Sequence, residues 1–514
     1  MGATLGSTLL GFLREVISAK YYGTRWEMDT FLAAAMIPTI LFGVFNGALV
    51  SALVPTFSEY LARDSKEEAW RLGSTIVNLL AIVITVCAVI GWFAAPLYVP
   101  LIAHGFPKPQ MGVAIHMTRW LMPSIVAVAL AGVFSGMLNA FSRFRAASIV
   151  GMALNVVTIA CVVLLNRSLG IFALVFGTGL GLIAQMLVQI PAFVSLGGYR
   201  FLIDIHHPGL KKMWGLLGPI TLGSAAGQLA MFFDRFFAST LPPGYIAGMN
   251  YATKLVNFPQ QIFAVAIATV IFPLLAMQFA QADKPGVARS AITGLRLVNF
   301  ITIPSMCALI VLAHPIVQTL FQRGSFGPSS VDLTAGLLPY AAVGLLAVAA
   351  NVVLTRCLFA CRQTAWPVSI SIGSVVLNVA LSITWLPTLG ARGLLLANSV
   401  SQTVQMLLLL WLVARLVAEI DWGALLGSAL KIAACAFVMV VMLDWIASLG
   451  ASPQASLISR AWFLFGQIAI GALVFTAVAR ILDVEELSLA WRAILARFER
   501  NVIPPPESRE APIA

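Results

Sequence analysis

The sequence predicts an all-α integral membrane protein of about fourteen transmembrane helices: two six-helix lobes followed by two extra helices. Three observations predict it. Of 514 residues, 60% are hydrophobic and 10% charged, where a soluble domain carries about 25% charged residues. Apolar runs of about 20 residues, enough to cross a bilayer, recur along the chain. Short motifs also repeat at a spacing of 220–221 residues.

The apolar runs lie near residues 3–22, 30–57, 73–102, 120–142, 146–166, 168–195, 213–233, 255–278, 297–321, 334–357, 367–387, 393–414, 425–448 and 461–482. Loops on the side of the N-terminus, with the C-terminal tail, hold nineteen Lys and Arg, against nine on the other side. The positive-inside rule makes the richer side cytoplasmic and places both termini inside. The net charge of +11 therefore belongs to loops, and no basic run marks a nucleic-acid site. Arg14-Glu15 breaks the first apolar run and no basic region precedes it, which is unlike a cleaved signal peptide. The six cysteines form no C-x-x-C pair and read as packing thiols. Residues 483–503 place Leu487, Trp491, Leu495, Phe498 and Val502 on one face with arginines alongside, the pattern of a helix lying on the inner membrane surface. Residues 504–514 read as a disordered tail.

The repeat divides the rest. "LNVVTIACVVLLNRSLG" at 154–170 matches "LNVALSITWLPTLG" at 377–390. Gln185-Met186-Leu187 returns as Gln405-Met406-Leu407, and Pro38 as Pro259. Six helices per copy keep both copies in one orientation, so residues 1–205 and 210–415 are expected to form two lobes about an axis along the membrane normal. Residues 416–482 would add helices thirteen and fourteen.

Charges inside spans are functional candidates by default. Arg14 lies about eleven residues into the first span, close to mid-membrane at ~1.5 Å per residue. Glu15 either neutralises Arg14 or, projecting about 100° away around the helix, leaves it free to line a hydrated cavity. Lys20 can reach the outer surface. Asp29 opens the second span, where it can serve as an N-cap. Asn46 and Gly47 lie inside that span. Asp234-Arg235 ends the seventh span and Lys254 begins the eighth. Asp234, Asn378, Ser382 and Asn398 could hold a sodium ion, or could be ordinary interhelical hydrogen-bonding groups. No phosphate loop and no cluster of acidic residues in a large loop is present, so neither a nucleotide-driven pump nor a membrane glycosyltransferase is indicated.

"LLGFLREVISAKYYGTRWEMDTFLAAAMIP…FNGALVSALVPTFSEY", "YATKLVNFPQQIFAVAIATVIFPLLA", "LFQRGSF", "QTAWPV" and "VVLNVALSITWLPTLGARGLLLANSVSQ" together resemble the MurJ (MviN) lipid II flippase family over about residues 4–415. Polysaccharide flippases and MATE antiporters belong to the same MOP superfamily. The resemblance implies fourteen helices, a MATE-like pair of lobes and a central cationic cavity. It implies transfer of an undecaprenyl-diphosphate-linked glycan, most simply lipid II for peptidoglycan synthesis, to the outer leaflet of the bacterial cytoplasmic membrane. Substrate-binding positions then fall at Arg14, Asp29, Asn46 and Lys254. Several family cations are replaced: the earlier arginine of the first helix is Thr8, a paired arginine falls at Phe42-Gly43, and the eighth-helix arginine is Lys254.

The expected protein is a transporter without a cofactor. It would be driven by a coupling ion, sodium or proton, or by the membrane potential, with membrane lipids and a lipid-linked glycan as partners and no nucleic acid, and it would act as a monomer. An exopolysaccharide-precursor flippase and a MATE-like small-molecule or cation antiporter are the alternatives. The orientation has a direct test. Cysteines introduced at 59–72, 200–212 and 280–296 should resist an impermeant thiol reagent applied to intact cells. Labelling of the 200–212 loop would invert the topology.

Overall fold

The computed structural model describes residues 2–63, 65–417, 420–448 and 456–489; side chains at 2–5, 41–52, 144–148, 214, 216–226 and 448 are outside the description. The described residues form α-helices and no strands. In order they are α1 (Gly2–Tyr22), α2 (Trp26–Ala34), α3 (Met36–Ala62), α4 (Lys66–Ile102), α5 (Lys108–Leu121), α6 (Ser124–Ala140), α7 (Phe144–Leu169), α8 (Phe172–Leu187), α9 (Ile190–Val194) and α10 (Pro208–Ala238). There follow α11 (Tyr245–Pro259), a π-helical turn (Gln260–Ala264), α12 (Val265–Ala280), α13 (Lys284–Val311), α14 (Ala313–Phe321), α15 (Pro328–Ala342), α16 (Leu345–Ala360), α17 (Ala365–Leu389), α18 (Ala391–Leu416), α19 (Trp422–Ser448) and α20 (Leu457–Ile481).

Among the described residues nine helices, or eleven counting two bent pairs, are long and apolar enough to span a membrane. The long helices α1, α3 and α10, of 21, 27 and 31 residues, are consistent with the expected fourteen. Backbone groups in lipid must be satisfied within their own segment, which is why helices dominate. Large apolar side chains point outward where a soluble protein would bury them: Leu97 on α4 is 76% exposed, Leu164 on α7 75% and Trp462 on α20 75%. Lipid covers such faces at no cost, so these residues are expected in contact with the bilayer.

The second span departs from the sequence expectation. It breaks at Ala35, which caps α2 and opens α3. Asp29 therefore lies inside α2 and is not its N-cap.

Packing divides the chain into two compact units. One holds residues 1–256, 316–344 and 365–405, the other 257–315, 345–364 and 406–514. In the first, α3, α4, α6 and α9 enclose an aromatic core: Trp70 stacks on Phe141 at 5.9 Å between centroids, and Phe57 and Phe193 meet Trp70 edge-on. The segment after α9 is tied to α4, since Asn78 Nδ2 donates to the Leu202 carbonyl at 3.0 Å and the Tyr199 hydroxyl donates to Asn78 Oδ1 at 2.7 Å. The helix pairs α7–α8 and α17–α18 turn through Gly170 and Gly390, at φ 54° and 57°. Ser142 and Arg362, before α7 and α17, also share a left-handed φ, 58° and 59°.

In the second unit, α13, α19 and the residues after α20 converge on Glu486. The carboxylate is 1% exposed and accepts from Arg296 Nε on α13 and from Ser428 Oγ on α19. Arg296 Nη2 also meets Glu485 at 2.8 Å. The helix expected over 483–503 is helical at 485–489; the rest of it and the tail lie outside the described residues. Burial pushes the Glu486 carboxyl up, but the hydrogen bonds from Arg296 and Ser428 outweigh it and leave it below the usual carboxylate range. A depressed folded-state pKa adds stability above the unfolded value, and that stability is lost as pH falls through the folded value. Removing one partner of a buried ion pair costs about 3–5 kcal/mol. Glu486→Ala should therefore lower the thermal unfolding temperature at neutral pH. The wild type should lose this difference on acidification below the carboxylate range. Equal unfolding temperatures at pH 7 would show that the contact carries no stability.

Candidate functional site: a cationic cavity

Arg14 and Glu15 sit on α1, and Lys254 on α11. All three line one cavity of ≈ 260 Å³, together with Ser18, Arg235, Asn250 and a wall of apolar side chains from α2, α3, α5, α7 and α8. Arg14 Nη2 donates to Glu15 Oε1 at 3.0 Å. Lys254 Nζ lies 3.8 Å from the same oxygen. One carboxylate thus faces two cations. The structure departs here from the picture of Glu15 turned away from Arg14. An arginine side chain is long enough to close the 100° between adjacent residues on a helix, so the pair forms although the backbone directions diverge. The guanidinium stays partly open, with 24% of its side chain exposed, and Lys254 keeps 45%. Both can meet a ligand without leaving Glu15.

Arg235, at the last turn of α10, is the residue that sequence reasoning missed. The sequence places it only as the end of the seventh span, yet it lines this cavity. Three cations against one carboxylate leave the lining with two positive charges in excess. The signal for it was present: it shares a helix end with Asp234, a residue already singled out.

Asp29 lies outside the cavity lining and is held by backbone. It is 2% exposed, and its two oxygens accept from the backbone amides of Gly244 and Ala247, the latter at 2.7 Å. These are the amides at the start of α11, where the helix dipole favours a negative charge. Around this contact the α1–α2 turn is stitched to the second half of the chain. Ser325 N donates to the Lys20 carbonyl at 2.8 Å, and the Thr24 and Ser330 hydroxyls are 2.7 Å apart. Gly23 and Gly244 make that approach possible. Both have positive φ, 59° and 96°. A Cβ on Gly23 would stand 2.3 Å from the Ser325 carbonyl oxygen, and one on Gly244 2.4 Å from that of Thr24.

The candidate ion ligands are partly assembled. Asn378 Nδ2 on α17 donates to Asp234 Oδ1 at 3.0 Å. Ser382, one turn further on α17, is fully buried. Its Oγ and Asn378 Oδ1 have no hydrogen-bond partner. A hard cation takes oxygen ligands; these oxygens are candidates, although the Asn378 amide presents its nitrogen, not its oxygen, to Asp234. Asn398 is half-buried on α18. Asn46 is on α3, and its side chain lies outside the description. Among the described residues no cluster of three His, Cys, Asp or Glu could hold a transition metal.

The sequence profile described as "Lipid II flippase MurJ" matches residues 18–463. A curated lipid II flippase MurJ of Burkholderia cenocepacia is 28% identical over 92% of this chain and 95% of its own. A probable lipid II flippase MurJ of Vibrio cholerae is 30% identical over 94% of each chain. Among solved structures, lipid II flippase MurJ in an inward closed conformation superposes with a TM-score of 0.80 at 25% identity, over 93% of this chain and 97% of that one. An inward-facing MATE-family multidrug transporter of the MOP superfamily follows at 0.69 and 14% identity, over 79% and 93%, a likeness of fold.

Proposed function

The chain belongs to the lipid II flippase MurJ family, and on that premise we propose that it carries lipid II, a polyprenyl-diphosphate-linked glycan for peptidoglycan synthesis, across the bacterial cytoplasmic membrane. It is a multi-pass membrane transporter. The observation that supports the cargo is the cavity in which Arg14, Lys254 and Arg235 outnumber Glu15. A diphosphate diester presents one ionised oxygen on each phosphate, which matches the excess of two charges. A cation antiporter would want the opposite sign in its cavity.

Arg14 supplies a planar fork that can take two oxygens of one phosphate, while Lys254 acts as a point charge. Glu15 holds both cations in place when no anion is there. That lowers the cost of keeping them inside the membrane and fixes their position before cargo arrives. The polyprenyl tail stays in lipid while the headgroup occupies the cavity. Residues 1–205 and 210–415 act as the two lobes of an alternating-access cycle. The matched left-handed turns at Gly170 and Gly390, and at Ser142 and Arg362, support that division. Asp29 on the start of α11 is then an interlobe latch on the side opposite the termini, and both termini are cytoplasmic. The protein works as a monomer.

A sodium ion would be held by Asp234 with Asn378 and Ser382, and it would supply a charge that responds to the membrane potential, worth about 2.3 kcal/mol per 100 mV. Sodium should raise the unfolding temperature of the purified protein, with potassium as the control. Asp234→Asn should abolish the shift, and a sodium shift unchanged in that variant would remove these residues from the role.

Arg14 tests the cargo reading. Arg14→Ala should abolish flipping of lipid II in reconstituted vesicles while the protein still inserts and folds. Arg14→Lys should keep part of the activity, because the charge survives and the fork does not. Full activity of Arg14→Ala would sink the assignment.

A further inference from the structure

Arg14 and Arg235 are 221 residues apart. So are Gly23 and Gly244, which share a left-handed backbone, and Pro38 and Pro259. Arg235 therefore stands in α10 where Arg14 stands in α1, and the two line the same cavity. By the same offset Asn250 stands where Asp29 does.

The partners of Arg235 differ from those of Arg14. Its Nη2 donates to Asn250 Oδ1 at 3.3 Å and its Nη1 to the Ile246 carbonyl at 3.4 Å. Both acceptors are neutral and both contacts are long. Among the described residues no carboxylate lies within ion-pair distance of it, and Asp234, Asp29 and Glu15 act on it only from farther off, whereas Arg14 and Lys254 share Glu15. Asn250 adds a second observation. Because its Oδ1 faces the guanidinium, its Nδ2 is turned the other way, and this buried donor has no partner. A buried N–H left unmade costs about 1–3 kcal/mol. A guanidinium in the cavity wall that is met only by long, neutral contacts is left able to take a negatively charged acceptor.

We propose that Arg235, positioned by Asn250, is a second anion-binding arm of the cavity. Paired with Arg14 across the repeat, it takes the anionic oxygens of the cargo's diphosphate. This rests on the flippase reading for the identity of the cargo, and not for the existence of the anion site. The arginine supplied by α10 completes a two-fork clamp with one fork from each repeat. Asn250 is four residues from Lys254, about 6 Å along α11, so the two arms are close enough to serve neighbouring phosphates.

The test is equilibrium binding to purified full-length protein in nanodiscs. Three probes are used: undecaprenyl diphosphate, lipid II, and inorganic diphosphate. The variants are Arg235→Gln, Arg235→Lys and Asn250→Leu, each checked for an unchanged unfolding temperature without ligand. Arg235→Gln should weaken all three probes about tenfold to a hundredfold, the range for losing a charge-assisted contact. Arg235→Lys should recover part of the loss and Asn250→Leu should lose less than Arg235→Gln. A merely structural arginine would not distinguish Lys from Gln by ligand affinity at constant stability. If Arg235→Gln weakens lipid II alone, the arm reads headgroup carboxylates and the diphosphate assignment is overturned. Wild-type affinity of Arg235→Gln for every probe overturns the inference and leaves the flippase reading standing. Binding of inorganic diphosphate that depends on Arg235, with no binding of either lipid by the wild type, upholds the anion site and overturns the cargo.

Discussion

A guanidinium in the middle of a bilayer sets the terms for this fold. Isolated, it costs between about 3 and 17 kcal/mol. No stability requirement explains keeping Arg14, Lys254 and Arg235 around one small cavity. Glu15 relieves part of the cost by facing two of them. It relieves only part, because one carboxylate cannot neutralise three cations. A fully paired site would be cheap and inert. An unpaired site would be too costly to fold. The observed arrangement lies between these limits, so the remaining excess of charge is available to a ligand that brings its own negative charge.

The same economy governs Asp29. A buried carboxylate without partners would be as costly as the arginines, and here two backbone amides at the head of α11 receive it. Its interaction lies with the other half of the chain, so its stabilisation exists only while α2 and α11 are together. Gly23 and Gly244 allow backbone to meet backbone at that place, where any Cβ would hold the segments apart. Closing by polar backbone contacts instead of a dry apolar interface leaves groups that water can satisfy when the contact opens, and such a contact can be remade in each cycle.

The helical spans were legible because membrane helices write themselves as long apolar runs. The α1, α4, α17 and α19 boundaries follow the runs to within a few residues, apart from charged ends such as Lys66–Leu72 that extend helices beyond the lipid. The apolar run does not change at Ala35, but Pro38 signals the break there, because its ring nitrogen has no hydrogen to give the Ala34 carbonyl; that carbonyl accepts instead from Thr118 Oγ1 on α5 at 3.4 Å. Arg14 and Lys254 were legible as candidates because a charge in an apolar run is conspicuous. The pairing of Glu15 with Arg14 was one of two readings open in the sequence; that Lys254 shares the same carboxylate was not legible, because only the fold brings α11 to α1. Arg235 was hidden for the opposite reason. It stands at a span's end, where a cation ordinarily snorkels to the surface, and only tertiary packing turns it inward.

Asp234 and Arg235 are adjacent on α10, so they project about 100° apart. One faces Asn378 on α17 and the other faces Asn250 on α11. Both sites are therefore referred to the same helical turn. Any rotation or bend of α10 that improves the oxygens around Asp234 also shifts the guanidinium of Arg235 relative to Arg14. The proposed ion and anion sites share this turn and so would not be adjusted independently; it is the shortest covalent path by which the proposed coupling ion would bear on a lipid-linked diphosphate.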